Sequence, residues 1–426
     1  MILALGSRGD VVPYAALGRA LQAAGHRVRL ATFENFRDLV IAQGLDFRPI
    51  RGDAQALLAG AGGLELGESG QNILKQFNGL RHSFGQLAGS YGVDAAAAAQ
   101  GGVDLIINPL PGALYGVDLA EALGVPMVQA AVLPLAPTRA WPLLAFPARL
   151  GRLPGFNEFS YFVGEQMAWQ MFRPAVNRWR RSLGLRPHSL GGYFRQLEAA
   201  AVPVLNGFSP LVVPRPPDWP AHIHITGYWF PTAEPWQPSA ELLRFIEAGP
   251  PPVFLGFGSM PVRDAAQVSA LLLEAVRQSG QRAIVHAGWA RLFQGGAGGA
   301  GQRPDNVFPL DHAPFNWLFP RMAAVVHHGG SGTTAAGLRA GVPTVIVPFM
   351  MDQFFWGERV LALGVGPPPV PFAKLSAARL AAAMTEAVSD PGLRRRAAAL
   401  GRAIAAEDGL GRAVALVEQA LAGVKK

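Results

Sequence analysis

Along the first third of the chain, short apolar runs alternate with stretches whose apolar positions recur every three to four residues. The first pattern is that of a buried strand and the second that of one helix face. Residues 2–5 read as a strand, 12–24 as a helix closed by Gly25, and 27–32 as the next strand. Residues 103–108, 113–123 and 125–131 repeat strand, helix, strand. Parallel neighbours need a crossover, so this rhythm predicts a doubly wound parallel α/β sheet. Residues 153–181 depart from it: they are long, aromatic and helical in pattern. Eight prolines between Pro210 and Pro238 then mark a linker. The alternation restarts with strands at 253–257, 282–286, 306–309, 323–326, 344–347 and 365–370, and a helix at 265–279. Residues 294–303 are Gly-rich and read as a mobile loop, and 377–422 are helical with breaks near Asp390-Pro391-Gly392 and Asp408-Gly409. The expected domains are 1–215, a linker at 216–240, a second domain at 241–400, and a C-terminal helix at 401–426 packing back toward the first domain.

Composition narrows the function classes. A chain of 426 residues, 50% hydrophobic and 15% charged, suits two large cores. Net charge is +8, but the arginines are scattered without a dense basic run, which argues against a nucleic-acid partner. An anionic ligand or membrane surface fits the charge as well. With no cysteine, disulfides, thiolate metal sites and cysteine nucleophiles are excluded. No run of about 18 apolar residues is present, so no spanning helix is expected. The expected location is cytoplasmic, with peripheral contact at the inner face of a membrane.

The most chemically specific run is His327-His328-Gly329-Gly330-Ser331-Gly332-Thr333-Thr334, between an apolar strand and a helical pattern ending at Gly341-Val342-Pro343. A glycine turn at a helix start brings backbone N–H groups and partial positive charge to an oxyanion. A phosphate or diphosphate is the expected ligand. There is no Gly-Lys-Ser/Thr of a Walker loop and no Gly-x-Gly-x-x-Gly fingerprint at this turn. Two other post-strand loops stand out, Gly6-Ser7-Arg8-Gly9-Asp10 and Gly256-Phe257-Gly258-Ser259-Met260. Ligands of open α/β sheets bind beyond the carboxyl ends of the strands. His222 and His224 lack a third ligand nearby and read as strand residues, not a metal pair.

Gly6-Ser7-Arg8-Gly9-Asp10-Val11-Val12-Pro13 resembles the N-terminal loop of bacterial and fungal nucleotide-sugar glycosyltransferases, including sterol and glycopeptide-antibiotic enzymes. The stretch from Trp317-Leu318-Phe319 through the His-Gly run, Gly341-Val342-Pro343 and Asp352-Gln353 resembles their donor-sugar signature. The resemblance covers nearly the whole chain and lies closest to the bacterial members. It implies a GT-B architecture, two Rossmann-like doubly wound domains facing a central cleft. It also implies metal-independent, inverting transfer of a hexose, glucose from UDP, to a hydroxyl of a lipophilic acceptor. No cofactor beyond the nucleotide-sugar donor is expected. Thymidine in place of uridine stays open, because Asp311-His312-Ala313-Pro314 departs from the plant Trp-x-Pro-Gln.

By this resemblance Asp10 is the candidate general base. Its other reading is a cap for the helix at 12–24. Arg8 would hold Asp10 ionised and touch the acceptor. His328 would contact the diphosphate, with Gly330, Ser331, Gly332, Thr333 and Ser259 supplying donors, while His327 completes the strand. Asp352 and Gln353 would bind the sugar hydroxyls, although Asp352 also suits a helix cap or a second catalytic carboxylate. His312, Trp289 and Trp317 are candidates for the base and ribose. Phe162 and Trp169, within the aromatic stretch, and Trp141 are candidate acceptor contacts; a membrane surface and plain helix packing are the other readings of that stretch. A nucleotide-sugar epimerase on the same fold and a non-catalytic helper protein remain as competing classes.

Overall fold

The computed structural model describes residues 1–84, 90–110, 114–232, 236–258, 260, 262–286 and 304–423. Ser259, Trp289 and the Gly-rich 294–303 stretch lie outside the described residues. The chain forms two compact units. One holds Met1–Gly62, Phe77–Pro231 and Glu407–Lys426, and the other Gly63–Gln76 and Thr232–Ala406.

Unit 1 is built on a seven-stranded sheet of β1 (Ile2–Leu3), β2 (Arg29–Phe33), β3 (Asp46–Ile50), β4 (Ile106–Leu110), β5 (Met127–Ala131), β6 (Val204–Asn206) and β7 (Ile223–Ile225). Its order is β3-β2-β1-β4-β5-β6-β7, with every pair parallel. Leu3, Leu30, Ala31, Ile106 and Val128 have no exposed surface, as expected for strands covered on both faces. The strand order reverses between β1 and β4, so the loop after β1 opens at a topological switch point. The helix Gly409–Ala422 lies against helix Arg8–Ala23. Ser209 Oγ donates to Glu407 at 2.7 Å and Arg412 Nη1 to the Thr226 carbonyl at 3.3 Å. A Cβ on Gly409 would collide with the Tyr228 carbonyl, so only glycine allows the chain this approach.

Unit 2 holds β8 (Val253–Gly256), β9 (Ala283–His286), β10 (Val307–Leu310), β11 (Ala324–His327) and β12 (Thr344–Ile346), in the order β10-β9-β8-β11-β12 and all parallel. Phe254, Ile284, Leu318, Phe319 and Val325 form part of its core. Burying each such side chain is worth about 1.5–3 kcal/mol. The switch point falls between β8 and β11, so the loops after β8, β11 and β12 emerge side by side. No helix among the described residues is long and apolar enough to cross a membrane.

Three expectations are corrected. The first long helix runs Arg8–Ala23 and not 12–24, so Asp10 lies inside its first turn. Pro13 looks like a start signal, but Ser7 caps the helix a turn and a half earlier. Residues 365–370 form no strand. They run beside β12 with two backbone bonds, Thr344 N–H to Val365 O and Val370 N–H to Ile346 O. Pro367, Pro368 and Pro369 remove the donors a ladder would need. The proline-rich stretch contains β7, with His224 at its centre, because the eight residues from 221 to 228 carry no proline and alternate apolar with polar.

Candidate active-site residues

In unit 1, Ser7 is the N-cap of helix Arg8–Ala23 and Asp10 occupies the third helical position. Ser7 N–H and Oγ–H both donate to Asp10 Oδ2, at 2.8 and 2.9 Å. This is the reciprocal half of a capping box. Gly6 has φ +129, and a Cβ there would lie 2.5 Å from Asp10 Oδ2, so the glycine makes room for the carboxylate. Asp10 Oδ1 accepts no hydrogen bond among the described residues. Burial raises the Asp10 pKa above its usual value, against the lowering pull of the two Ser7 bonds. The expectation that Arg8 lowers it is corrected. Arg8 is exposed at the helix start, and side chains two apart on a helix point away from one another. One turn on, Tyr14 is buried with its hydroxyl 3.3 Å from the Ala130 carbonyl.

In unit 2, β11 ends at His327 and helix Ser331–Ala340 begins four residues later. Its N-cap, Gly330, offers no side chain, and among the described residues no side chain caps the first-turn N–H groups of Ser331, Gly332 and Thr333. Gly332 is exposed, with open space where a Cβ would stand. Thr334 is buried and its Oγ1 donates back to the Gly330 carbonyl at 2.9 Å. The two histidines differ. His327 is fully buried and its Nδ1 accepts the Gly329 N–H at 3.0 Å, which fixes the turn. His328 is held between two glycines: a Cβ on Gly258 would lie 2.9 Å from its Cε1, and one on Gly330 would strike Nε2. Burial lowers the His328 pKa to about 4, so its ring is neutral near pH 7. The loops after β8 and β11 are thereby in contact through this ring.

The loop after β12 completes the cluster. A Cβ on Gly329 (φ +91) would lie 3.0 Å from the Gln353 carbonyl, so the glycine turn and the Asp352-Gln353 corner touch. Met351, before Asp352, has φ +47, a non-glycine residue in the left-handed region. Such strain costs about 1–3 kcal/mol and gathers at functional corners. Asp352 is half-buried at the first helical position, with Oδ2 accepting from Trp356 Nε1 at 3.1 Å. Gln353 is buried and its amide is used internally. Oε1 accepts the N–H groups of Phe349 and Met350 at 2.8 and 3.3 Å, and Nε2 donates to the Met260 sulfur at 3.1 Å. In this arrangement Gln353 braces the corner with both its amide oxygen and its amide nitrogen. His312 is exposed, and Trp317 stacks edge-on with Trp236 at 4.9 Å under Arg321.

The aromatic stretch folds as helix Phe156–Ser182, and its candidates separate. Trp169 has no exposed surface, stacks on Tyr193 at 5.3 Å and donates to the Ser189 carbonyl at 3.2 Å. An indole so enclosed packs the helix and has no face for a ligand. Phe162 is 59% exposed, beside Phe159 at 57%. Trp141 is half-buried on the loop after β5, edge-on to Trp219 at 6.2 Å. Sequence reasoning missed Glu165 on the same helix. Burial first and the nearby Glu198 second raise its pKa to about 7. Only tertiary packing reveals it, since the local pattern shows an ordinary helical Glu.

Residues 1–142 match the glycosyltransferase family 28 N-terminal domain, and residues 291–414 the erythromycin biosynthesis protein CIII-like C-terminal domain. The chain is 40% identical over 426 residues to the sterol 3-beta-glucosyltransferase UGT80B1 of Arabidopsis thaliana, covering 97% of this chain and 66% of that protein. It is 37% identical over 433 residues to a sterol 3-beta-glucosyltransferase of Cryptococcus neoformans, covering 97% of this chain and 26% of that one. It thus spans just under two thirds of the plant relative and about a quarter of the fungal one. These relatives are plant and fungal, and they do not support the expectation of a bacterial protein. In structure the chain is similar to CalG4, the calicheamicin glycosyltransferase, with TM-score 0.68 and 18% identity, covering 100% of this chain and 99% of that one. It is also similar to the Streptomyces sp. SF2575 glycosyltransferase SsfS6, complexed with thymidine diphosphate, with TM-score 0.62 and 21% identity over 98% of each chain. At such identities the likeness shows the fold. With its seven- and five-stranded parallel sheets the chain has the fold of these solved glycosyltransferases, GT-B, and its two ends match the two domains named above.

Proposed function

We propose that the chain transfers a hexose, glucose from UDP-glucose, to the hydroxyl of a lipophilic acceptor of the sterol class, with inversion and without a metal. The observation that carries this is the uncapped N-terminus of helix Ser331–Ala340 behind a glycine turn, with a neutral His328 beside it. That arrangement binds a diphosphate and stabilises it as a leaving group. Asp10 supplies the second half of the chemistry. Its free Oδ1 takes the acceptor hydroxyl proton while the acceptor oxygen bonds to the anomeric carbon. The bond from that carbon to the diphosphate oxygen breaks, and UDP departs with both electrons. Burial makes Asp10 a stronger base than an exposed carboxylate, which suits proton removal from an alcohol. Charge on the departing diphosphate is met by the N–H groups of Ser331, Gly332 and Thr333, two hydroxyls and His328, the work a cation would do elsewhere. Asp352 orients the sugar hydroxyls.

The sterol assignment draws on the names of the plant and fungal relatives. Polyketide, carotenoid and hydroxylated lipid acceptors have the same chemistry. UDP release from UDP-glucose and from dTDP-glucose, with a panel of sterol, flavonoid, macrolide and carotenoid alcohols, tests the reading. Release from UDP-glucose that depends on the sterol is expected. Donor turnover without any acceptor would favour an epimerase, and donor binding without release would favour a helper protein.

We further propose that the acceptor is met at an anionic lipid surface. Leu153, Phe159 and Phe162 are exposed, and the 3-10 turn Ala148–Arg152 beside them carries exposed Arg149 and Arg152. Exposed apolar rings flanked by arginines suit the headgroup boundary of an anionic bilayer. Co-sedimentation with phosphatidylglycerol vesicles is expected, and weaker binding by Leu153→Ser/Phe159→Ser. Equal binding by both proteins would refute this surface.

A further inference from the structure

Residues Gly63–Gln76 belong to unit 2, although the chain on either side of them belongs to unit 1. Gly70 forms a parallel β-bridge with Met350, one residue before the strained Met351 and two before Asp352. The segment is internally braced. Ser69 is buried with Oγ donating to the Leu66 carbonyl at 2.7 Å, and Asn72 Oδ1 accepts the Lys75 N–H at 3.1 Å. Gln76 is 1% exposed and its Nε2 donates to the Gly70 carbonyl at 2.9 Å, fixing the residue that makes the bridge. Glu68 pairs with Arg263 on the same unit. Met350 is therefore gripped from two sides, by Gly70 through its backbone and by Gln353 Oε1 through its N–H.

We infer that Glu68–Gln76 is a positioning strap for the sugar end of the donor site. It holds the Met350–Met351 corner so that the Asp352 carboxylate meets the hexose hydroxyls. The inference rests on the donor reading above. A left-handed Met351 persists only where its surroundings over-determine it, and the strap is one of those surroundings. The diphosphate donors lie elsewhere, at the start of helix Ser331–Ala340, which the bridge does not include. Loss of the strap should therefore weaken recognition of the hexose and leave recognition of the nucleotide diphosphate intact.

Titration calorimetry with UDP and with UDP-glucose, on the wild-type chain and on Gln76→Ala, separates these terms. Removing one buried hydrogen bond is expected to lower UDP-glucose affinity about fivefold and to change UDP affinity less than about twofold. Gly70→Ala places a methyl in open space but strains a residue at φ +54, and it gives the same split if Gln76→Ala does not fold. Parallel loss of both ligands, or unchanged affinity for both, overturns the strap. A wild-type chain that binds neither ligand overturns the donor reading itself, and the strap with it.

Discussion

His328 and His327 adjoin in sequence and divide two tasks that the chain pattern separates only in part. A histidine at a strand end gives no sign of which ring faces a ligand. Here the Gly329 N–H to His327 Nδ1 bond makes His327 the turn's internal brace, and the glycines at 258 and 330 leave a slot for His328. Both rings are buried, and burial favours their neutral forms. The unfolded chain protonates such a ring near pH 6.5, whereas folded His328 resists until about pH 4. A depressed folded pKa contributes stability that is present above the unfolded value and lost as pH falls through the folded one. Thermal midpoints measured from pH 7 down to pH 4 should therefore fall, with His328 accounting for up to about 3 kcal/mol. His328→Gln should flatten that profile, and an equally steep profile would remove His328 as a cause. Asp10 illustrates the opposite case. Its residue type and loop suggest both a base and a cap; the structure shows the capping-box bonds from Ser7 to Oδ2 and no donor to Oδ1 among the described residues, which is compatible with the proposed base.

The helix Ser331–Ala340 joins stability and binding at one end. Its N-terminus, uncapped by any side chain, leaves partial positive charge that costs stability and that the proposed diphosphate would answer. Gly332→Asp should split these effects. A carboxylate in the first turn and the loss of a helical glycine should stabilise unit 2 by about 1 kcal/mol. The same carboxylate should reduce UDP affinity by more than about tenfold through repulsion of like charge. Calorimetric unfolding and UDP titration on the one variant check both signs, and unchanged UDP affinity would remove this terminus as the diphosphate site. Strand and helix periodicity made most such elements legible, because apolar runs and glycine stops are local signals. The failures were non-local or donor-counting ones. Helix Arg8–Ala23 starts at a Ser7 cap hidden behind Pro13, and residues 365–370 look apolar but lack the N–H groups of a strand. β3 and β6 were missed as short strands whose burial depends on neighbours distant in sequence.

At the scale of the whole molecule, each unit places its candidate residues at its own switch point, Asp10 after β1 and the histidine turn after β11. The two parallel sheets were readable from motif and rhythm. Which residues share a unit was not. Segment Gly63–Gln76 packs with the unit that the neighbouring sequence does not predict, because tertiary contacts and not local pattern decide this. Nor did the pattern distinguish the enclosed Trp169 from the exposed Phe162, since both sit on one aromatic helix. The central claims of the proposed function are that Asp10 is the base and that no cation is needed to hold the donor. The most direct test is the initial rate of sterol-dependent UDP release from UDP-glucose, in excess EDTA, for the wild-type chain and for Asp10→Asn. The account predicts full activity of the wild type in EDTA and a loss of about 10²–10⁴-fold in the variant, with UDP affinity unchanged. A variant that keeps the wild-type rate, or a wild type silenced by EDTA and restored by a divalent cation, would contradict it.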